Sequence, residues 1–112
     1  MKVDVSVGGL WHSPDIVEIL NKKSMLNNFY TSRPYFKLPQ NIKDIDKNKI
    51  KCFSDLDILQ GLSIRFMGNK LQEFKAKEFD HRVAKKINNS DLLVVWSSFG
   101  LDTLRRAKEL GI

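Results

Sequence analysis

The first residues in the chain that could do chemistry are two glycines close to the N-terminus. Residues 2–7 alternate and are rich in valine, as a β-strand is, and they end at Gly8 and Gly9. Glycine accepts a positive φ and lets a ligand approach the backbone closely. A helix is predicted to begin at Ser13 or Asp15, so backbone amides and the positive end of a helix dipole would meet at this turn, as they do in phosphate sites. A tight strand-to-helix turn without a ligand is the alternative.

An aromatic residue and a histidine follow this turn directly. The indole of Trp11 offers a flat apolar face that could stack on a sugar or a base. The imidazole of His12 can donate or accept a proton near neutral pH, although the sequence offers it no evident partner carboxylate. Both residues are therefore candidates for lining a ligand site, and a surface or hydrogen-bonding role is the alternative for His12.

A second corner of the same kind is predicted near the C-terminus. Residues 91–96 form a near-continuous apolar run, which is typical of a central strand that is buried on both faces. Ser97, Ser98 and Gly100 follow it where the last helix begins, and they would face the first glycine turn if the two strands are neighbours. A cap for that helix is the alternative role of the serines. No serine lies in the Gly-x-Ser-x-Gly pattern of a hydrolase nucleophile.

A long polar stretch, residues 31–49, is predicted to be a loop, and its start combines a cation with aromatic residues. Arg33 lies between Tyr30 and the pair Tyr35 and Phe36. Such a mixture is typical of a site for a carbohydrate or an acidic acceptor. The alternative is that the aromatic side chains anchor the loop on the sheet.

Strands and helices alternate along the sequence, which is the pattern of a parallel sheet with crossover helices. The predicted strands are residues 2–7, 26–30, 50–53 and 91–96, and the predicted helices begin at residue 13 or 15, at 54, at 69 and after 100. We therefore predict one α/β domain, residues 1–112, with a Rossmann-like parallel sheet of about four strands and helices on both faces.

Two finer predictions concern which side chains the helices bury. In the first helix Ile16, Val17 and Leu20 are expected to face the core, with Ile19 as a further candidate. In the long helix that begins at residue 69, His81 lies between Asp80 and Arg82 on a charged face, so His81 is expected to be solvated.

Composition narrows the class of protein further. No apolar run approaches the roughly 18 residues that span a bilayer, and no secretory signal is evident, so we expect a cytoplasmic protein. Cys52 is the only cysteine and no histidines are paired, so no disulfide, metal site or cofactor is predicted. The net charge of +6 favours anionic partners such as a phosphorylated ligand or an acidic membrane surface. No nucleic-acid-binding motif is present, so no specific nucleic acid is predicted.

Three segments together resemble the N-terminal half of family-4 glycosyltransferases, which have the two-domain GT-B architecture. They are Gly-Gly-Leu-Trp-His at residues 8–12, Lys-Glu-Phe-Asp-His-Arg-Val-Ala at residues 77–84 and Asp-Leu-Leu-Val-Val-Trp-Ser-Ser-Phe-Gly at residues 91–100. The resemblance runs along nearly the whole chain. It implies an incomplete GT-B N-terminal domain on the acceptor side, and we expect a further strand beyond Ile112 because a parallel sheet needs its edge covered.

The resemblance also implies roles for individual residues. Gly8 and Gly9 would approach the donor diphosphate, and the corner at residues 97–100 would line the cleft between the domains. With the candidates named above, the predicted acceptor or cleft lining consists of Trp11, His12, Arg33, Ser97, Ser98 and Gly100.

The family's paired glutamates and basic phosphate clamp belong to a C-terminal domain that this sequence lacks. We therefore expect no activity without that half, and expect a nucleotide sugar and a glycosyl acceptor as partners when it is joined. The alternative function is a non-enzymatic Rossmann-like or flavodoxin-like module that binds a phosphorylated ligand or a protein.

Overall fold

The computed structural model describes residues 1–10, 12–56, 58, 70–96 and 100–112 of the chain. Its strands are β1 (Val3–Val7), β2 (Leu26–Thr31), β3 (Ile50–Cys52) and β4 (Leu92–Val95). Its helices are α1 (Ser13–Lys22), α2 (Gln40–Lys43), α3 (Lys70–Lys86) and α4 (Leu101–Leu110). Two 3₁₀ turns, Tyr35–Lys37 and Lys47–Lys49, lie on either side of α2, and residues 54–56 are helical.

The four strands form one parallel sheet in the order β3-β2-β1-β4. Val5 of β1 pairs with Phe29 of β2 on one side and with Val94 of β4 on the other, so β1 lies inside the sheet. The predicted fold class, an α/β domain with a Rossmann-like parallel sheet of four strands, is confirmed.

The first core lies between the sheet and the helices α1 and α2. The valines of β1 alternate toward this face, because successive side chains in a strand point to opposite sides. The buried members of this core are Val3, Val5, Val7, Val17, Leu26, Phe29, Leu38, Ile42, Ile45 and Ile50.

The second core lies on the other face, under α3 and α4. Tyr30 of β2, Leu56, Phe79 and Val83 of α3, and Ala107 of α4 pack together there, with Ile87 at the end of α3. The rings of Phe53 and Phe79 meet edge to face, with their centroids 5.8 Å apart. Helices therefore cover both faces of the sheet, as predicted.

The stretch predicted to be a loop, residues 31–49, contains short helical elements. Ile42 of α2 is fully buried, and Leu38 and Ile45 on either side of the helix are buried with it. These three side chains secure the segment against the first core. The polar residues between them hide this apolar spacing in the sequence, which is why α2 was not predicted.

Two predictions about burial are wrong. Residues 92–95 form a strand at the edge of the described sheet, with Leu92 exposed and its neighbours half-buried, so β4 is not a central strand among the described ones. In α1 Val17 is buried as expected and Leu20 packs partly on the first core, but Ile16 and Ile19 are exposed. An apolar pattern identifies an element, but the number of its faces that are covered depends on its neighbours.

No helix within the described part of the chain is long and apolar enough to cross a membrane.

Candidate functional site

The candidate site lies at the edge of the sheet where the carboxyl ends of β1 and β4 are neighbours. The chain runs outward from β1 to β2 and β3 and then returns to place β4 on the other side of β1. A parallel α/β sheet binds its ligands at such a reversal of strand order, because the loops leave toward opposite faces and open a crevice. Trp96 donates its N–H to the carbonyl of Ser6 at 3.3 Å, which closes this pairing at its end.

The turn after β1 has the conformation that its two glycines predict. Gly9 has φ +148°, a backbone conformation that residues with a side chain rarely adopt. Its carbonyl accepts a hydrogen bond of 2.6 Å from the hydroxyl of Thr31, which is fully buried at the end of β2. Neither the Gly8 nor the Gly9 N–H donates a hydrogen bond to a described residue, so within that part of the chain both amides can face an acceptor such as a phosphate oxygen.

Helix α1 begins beside this turn and has no side-chain cap. Ser13 is buried and donates both its N–H and its hydroxyl to the carbonyl of Leu10, which fixes where the helix begins. His12 occupies the N-cap position with φ −95° and an exposed imidazole. Asp15 adds a negative charge to the first turn, where it interacts favourably with the positive end of the helix. The exposed His12 side chain is therefore the titratable group nearest the glycine turn on this element.

Arg33 supplies a cation at the same edge, two residues after the end of β2. Its N–H donates to the Thr31 hydroxyl at 3.2 Å, so one buried threonine holds both the Gly9 carbonyl and the Arg33 backbone. The Arg33 side chain is half-buried and forms no ion pair with a described residue. With respect to the described residues, its guanidinium can therefore pair with an external anion.

The three aromatic residues around Arg33 differ in burial. Tyr30 is buried in the second core, and Tyr35 packs partly on the first. Burial, together with the nearby charge of Asp4, raises the pKa of the Tyr30 hydroxyl. Phe36 is 73% exposed. The interpretation that aromatics anchor the loop is therefore correct for the two tyrosines and wrong for Phe36.

The N-terminus of α4, at the β4 corner, already has a carboxylate bound to it. Asp80 of α3 accepts hydrogen bonds from the N–H groups of Asp102 and Thr103 at 2.7 and 2.8 Å and from the Thr103 hydroxyl at 2.6 Å. These are the amides that a phosphate at this corner would need. The start of α4 is therefore satisfied from within the protein.

The burial of Asp80, which is only 6% exposed, was not predicted from the sequence. Asp80 follows Phe79, a core residue, and this position in the sequence is the signal that could have indicated that the Asp80 side chain is buried. His81 is exposed as expected, and Arg82 lies in ion pairs with Asp55 and Glu78.

Gly100 begins α4 in very close contact with β4. A Cβ built on Gly100 would collide with Val95 Cγ1 and would lie 3.1 Å from Val95 Cβ. The helix can therefore start this close to the strand only if the residue is glycine. Three other predicted lining residues, Trp11, Ser97 and Ser98, lie outside the described residues.

Sequence reasoning missed a row of buried polar side chains on the second face of the sheet. Asp4 and Ser6 alternate with the valines of β1, and Ser32 follows β2; none of their side-chain oxygens has a hydrogen-bond partner of ordinary geometry. Burial raises the pKa of Asp4, and Ser90, Asn27 and Asn28 nearby oppose that effect only in part. Alternation suggests a polar outer face, but an inner strand of a parallel sheet is covered on both sides.

The described part of the chain contains no group of three or more His, Cys, Asp or Glu side chains that could hold a metal ion. No family model, no curated protein and no solved structure matches the chain. The candidate site therefore rests on this chain's own geometry: two amides without a partner among the described residues, a helix start without a side-chain cap, and a cation. That combination can bind a phosphate or diphosphate.

Proposed function

We propose that this chain is the N-terminal, acceptor-side domain of a retaining glycosyltransferase that uses a nucleotide sugar and works with a C-terminal donor domain. The observation that carries the proposal is the Gly8-Gly9 turn at the reversal of strand order between β1 and β4. The resemblance in residues 8–12, 77–84 and 91–100 supports the same function.

In this function the domain contributes electrostatic stabilisation. When the glycosyl bond breaks, negative charge develops on the departing nucleoside diphosphate. The amides of Gly8 and Gly9 and the uncapped start of α1 would donate to its oxygens, and Arg33 would supply a positive charge nearby. Trp11 and His12 would line the acceptor side of the cleft.

The capped start of α4 supports a division of labour between two domains. Because Asp80 occupies the amides of Asp102 and Thr103, free donors among the described residues of these two corners lie at the β1 corner and not at the β4 corner. Two amides and one cation bind a diphosphate weakly in water. The remaining positive charge would come from the C-terminal domain, as the resemblance implies.

An exposed apolar surface beside β4 supports a covering partner. Leu92 on the edge strand and Leu101 and Leu104 on α4 are all exposed. An edge strand with an exposed apolar side chain is covered by further polypeptide in many proteins. In the proposed enzyme this polypeptide belongs to the other half.

Release of nucleoside diphosphate from a panel of nucleotide sugars tests the proposal. The chain alone should release none, whereas the chain with a separately supplied C-terminal donor domain and an acceptor should release it. Gly9→Ala should reduce this release at least tenfold, because it strains the turn that presents the amides. Gly111→Ala is the matched control, since Gly111 also has a positive φ but has open space around it at the end of α4.

Turnover by the chain alone, or donor binding by the chain alone as tight as an intact enzyme's, would contradict the division of labour. Binding of a phosphorylated ligand at the glycine turn without turnover in any combination would instead favour the non-enzymatic module.

A further inference from the structure

A second feature of the molecule, independent of the glycine turn, combines an exposed aromatic ring with several lysines. Phe36 lies in the Tyr35–Lys37 3₁₀ turn, and its ring is 6.0 Å from Lys37 Nζ. Lys43 Nζ donates to the Phe36 carbonyl at 3.1 Å, and Lys47 Nζ lies 5.0 Å from the centre of the Tyr35 ring. We refer to Tyr35, Phe36, Lys37, Lys43 and Lys47 as the Phe36 patch.

The surroundings of the patch hold most of the protein's excess positive charge. Residues 33–51 contain six lysines and arginines and two aspartates, a net charge of +4 out of +6 for the whole chain. Asp44 accepts a hydrogen bond from Gln40 at 2.8 Å, and Asp46 accepts one from the Asn48 N–H at 3.1 Å. Neither aspartate forms an ion pair with Lys43 or Lys47 in the described part of the chain, so the charge of these lysines is not neutralised there.

The fold holds Phe36 outward. Tyr35 packs on the first core and its hydroxyl donates to the Lys43 carbonyl at 3.5 Å, which ties the 3₁₀ turn to α2. Leu38 and Ile42 are buried beneath the same segment. Phe36 therefore lies between two residues that are anchored on the core, Tyr35 and Leu38, while its own ring is exposed to solvent.

We propose that the Phe36 patch binds the surface of an anionic lipid bilayer. An exposed aromatic side chain with lysines beside it is suited to the membrane–water interface. The aromatic ring enters the boundary between headgroups and acyl chains, while the ammonium groups contact lipid phosphates. A nucleic acid would need further exposed rings or arginines to stack on its bases, and the Tyr35 ring is partly buried against the first core. This inference does not depend on the proposed function.

Co-sedimentation with vesicles tests the inference on the full chain. The protein should bind vesicles of phosphatidylcholine mixed with phosphatidylserine, should not bind vesicles of phosphatidylcholine alone, and should be released by raised salt. Phe36→Ala should weaken binding roughly tenfold. Lys43→Gln and Lys47→Gln should each weaken it about fivefold.

The chain offers matched controls outside the patch. Phe74 on α3 is also an exposed phenylalanine, at 52%, and Lys85 and Lys86 are exposed at the end of the same helix. Phe74→Ala and the double variant Lys85→Gln/Lys86→Gln should bind anionic vesicles within about twofold of the original protein. Circular dichroism melts of each variant establish that the chain remains folded.

Equal binding to neutral and anionic vesicles, no binding to either, or equal losses from Phe36→Ala and Phe74→Ala would overturn the inference. Displacement from anionic vesicles by inorganic phosphate at low millimolar concentration would show that the patch binds free phosphate rather than a membrane. Tighter binding to a single-stranded oligonucleotide that also requires Phe36 would assign the patch to nucleic acid.

Discussion

At the scale of single residues, the Asp4 carboxylate lies buried in the middle of the sheet, where its charged form is costly. It is 1% exposed, and neither of its oxygens has a hydrogen-bond partner of ordinary geometry. Burial raises its pKa, so the folded protein holds the Asp4 proton more tightly than the unfolded chain does. The ionised carboxylate therefore destabilises the fold.

This feature predicts a pH-dependent effect of Asp4→Asn. As pH rises from the ordinary aspartate pKa of about 3.9 through the raised pKa of the folded state, the original protein loses stability that the variant keeps. The free energy of unfolding of Asp4→Asn minus that of the original protein should therefore grow with pH and then level off. Urea denaturation between pH 4 and pH 8 measures this difference, and Asp44→Asn, at an exposed site, is the control.

A difference that is the same at pH 4 and at pH 7 would mean that Asp4 does not titrate in this range.

Asp80 differs from Asp4, because its buried carboxylate oxygens have hydrogen-bond donors. It accepts three hydrogen bonds from Asp102 and Thr103 at the start of α4. Asp80→Ala should lower the free energy of unfolding by about 1–3 kcal/mol, because it leaves these donors without an acceptor. Urea denaturation of Asp80→Ala, Thr103→Val and the double variant measures how strongly the two residues are coupled. Additive losses would contradict a shared network.

At the scale of elements, Gly100 determines how closely α4 approaches β4. Gly100→Ala should destabilise the protein by about 1–3 kcal/mol, because its Cβ would collide with Val95 Cγ1. Val95→Ala should recover part of that loss in the double variant, since it removes the atom in the way. Thermal melts of the single and double variants measure the recovery. If the double variant loses as much stability as the two single variants together, the collision with Val95 does not cause the loss in Gly100→Ala.

Most elements of the fold could be predicted from the sequence, because each carries its own periodicity. The valines of β1 and the apolar spacing of α3 placed these elements within one or two residues. The sequence pattern did not show which faces would be covered, so Ile16 and β4 were predicted to be more buried than they are. Helix α2 was missed because its burial depends on isolated apolar residues that only the folded chain brings onto the core.

The candidate site was predictable where it depends on local geometry. The turn after β1 holds Gly9 at a positive φ, which favours a residue without a side chain, and a glycine pair at the end of a strand is visible in the sequence. The bond from Asp80 to the start of α4 joins residues 22 and 23 positions apart, and the burial of Asp4 follows from the place of β1 inside the sheet. Both are tertiary effects that no short motif contains.

At the scale of the whole molecule, the parallel sheet places the glycine turn and the start of the Phe36 segment at the same edge, beside different strands. The glycine turn follows β1 and the segment of the Phe36 patch follows β2, so both begin at the same edge of a parallel sheet. The donor amides belong to the crevice between β1 and β4, whereas the patch lies on the β2 side. Diphosphate binding and membrane binding should therefore be separable by variants of Gly9 and of Phe36.

The most direct test is nuclear magnetic resonance of the ¹⁵N-labelled chain, titrated with a nucleoside diphosphate. It shows whether the ligand binds at the Gly8-Gly9 turn, where the strand order reverses. The amide signals of Gly8 and Gly9 should shift most, with Arg33 following, and the affinity should be in the millimolar range, about −4 kcal/mol. The nucleoside without phosphates should move these signals far less. Unchanged glycine signals at saturating diphosphate, with shifts centred on other parts of the chain, would contradict the proposed site.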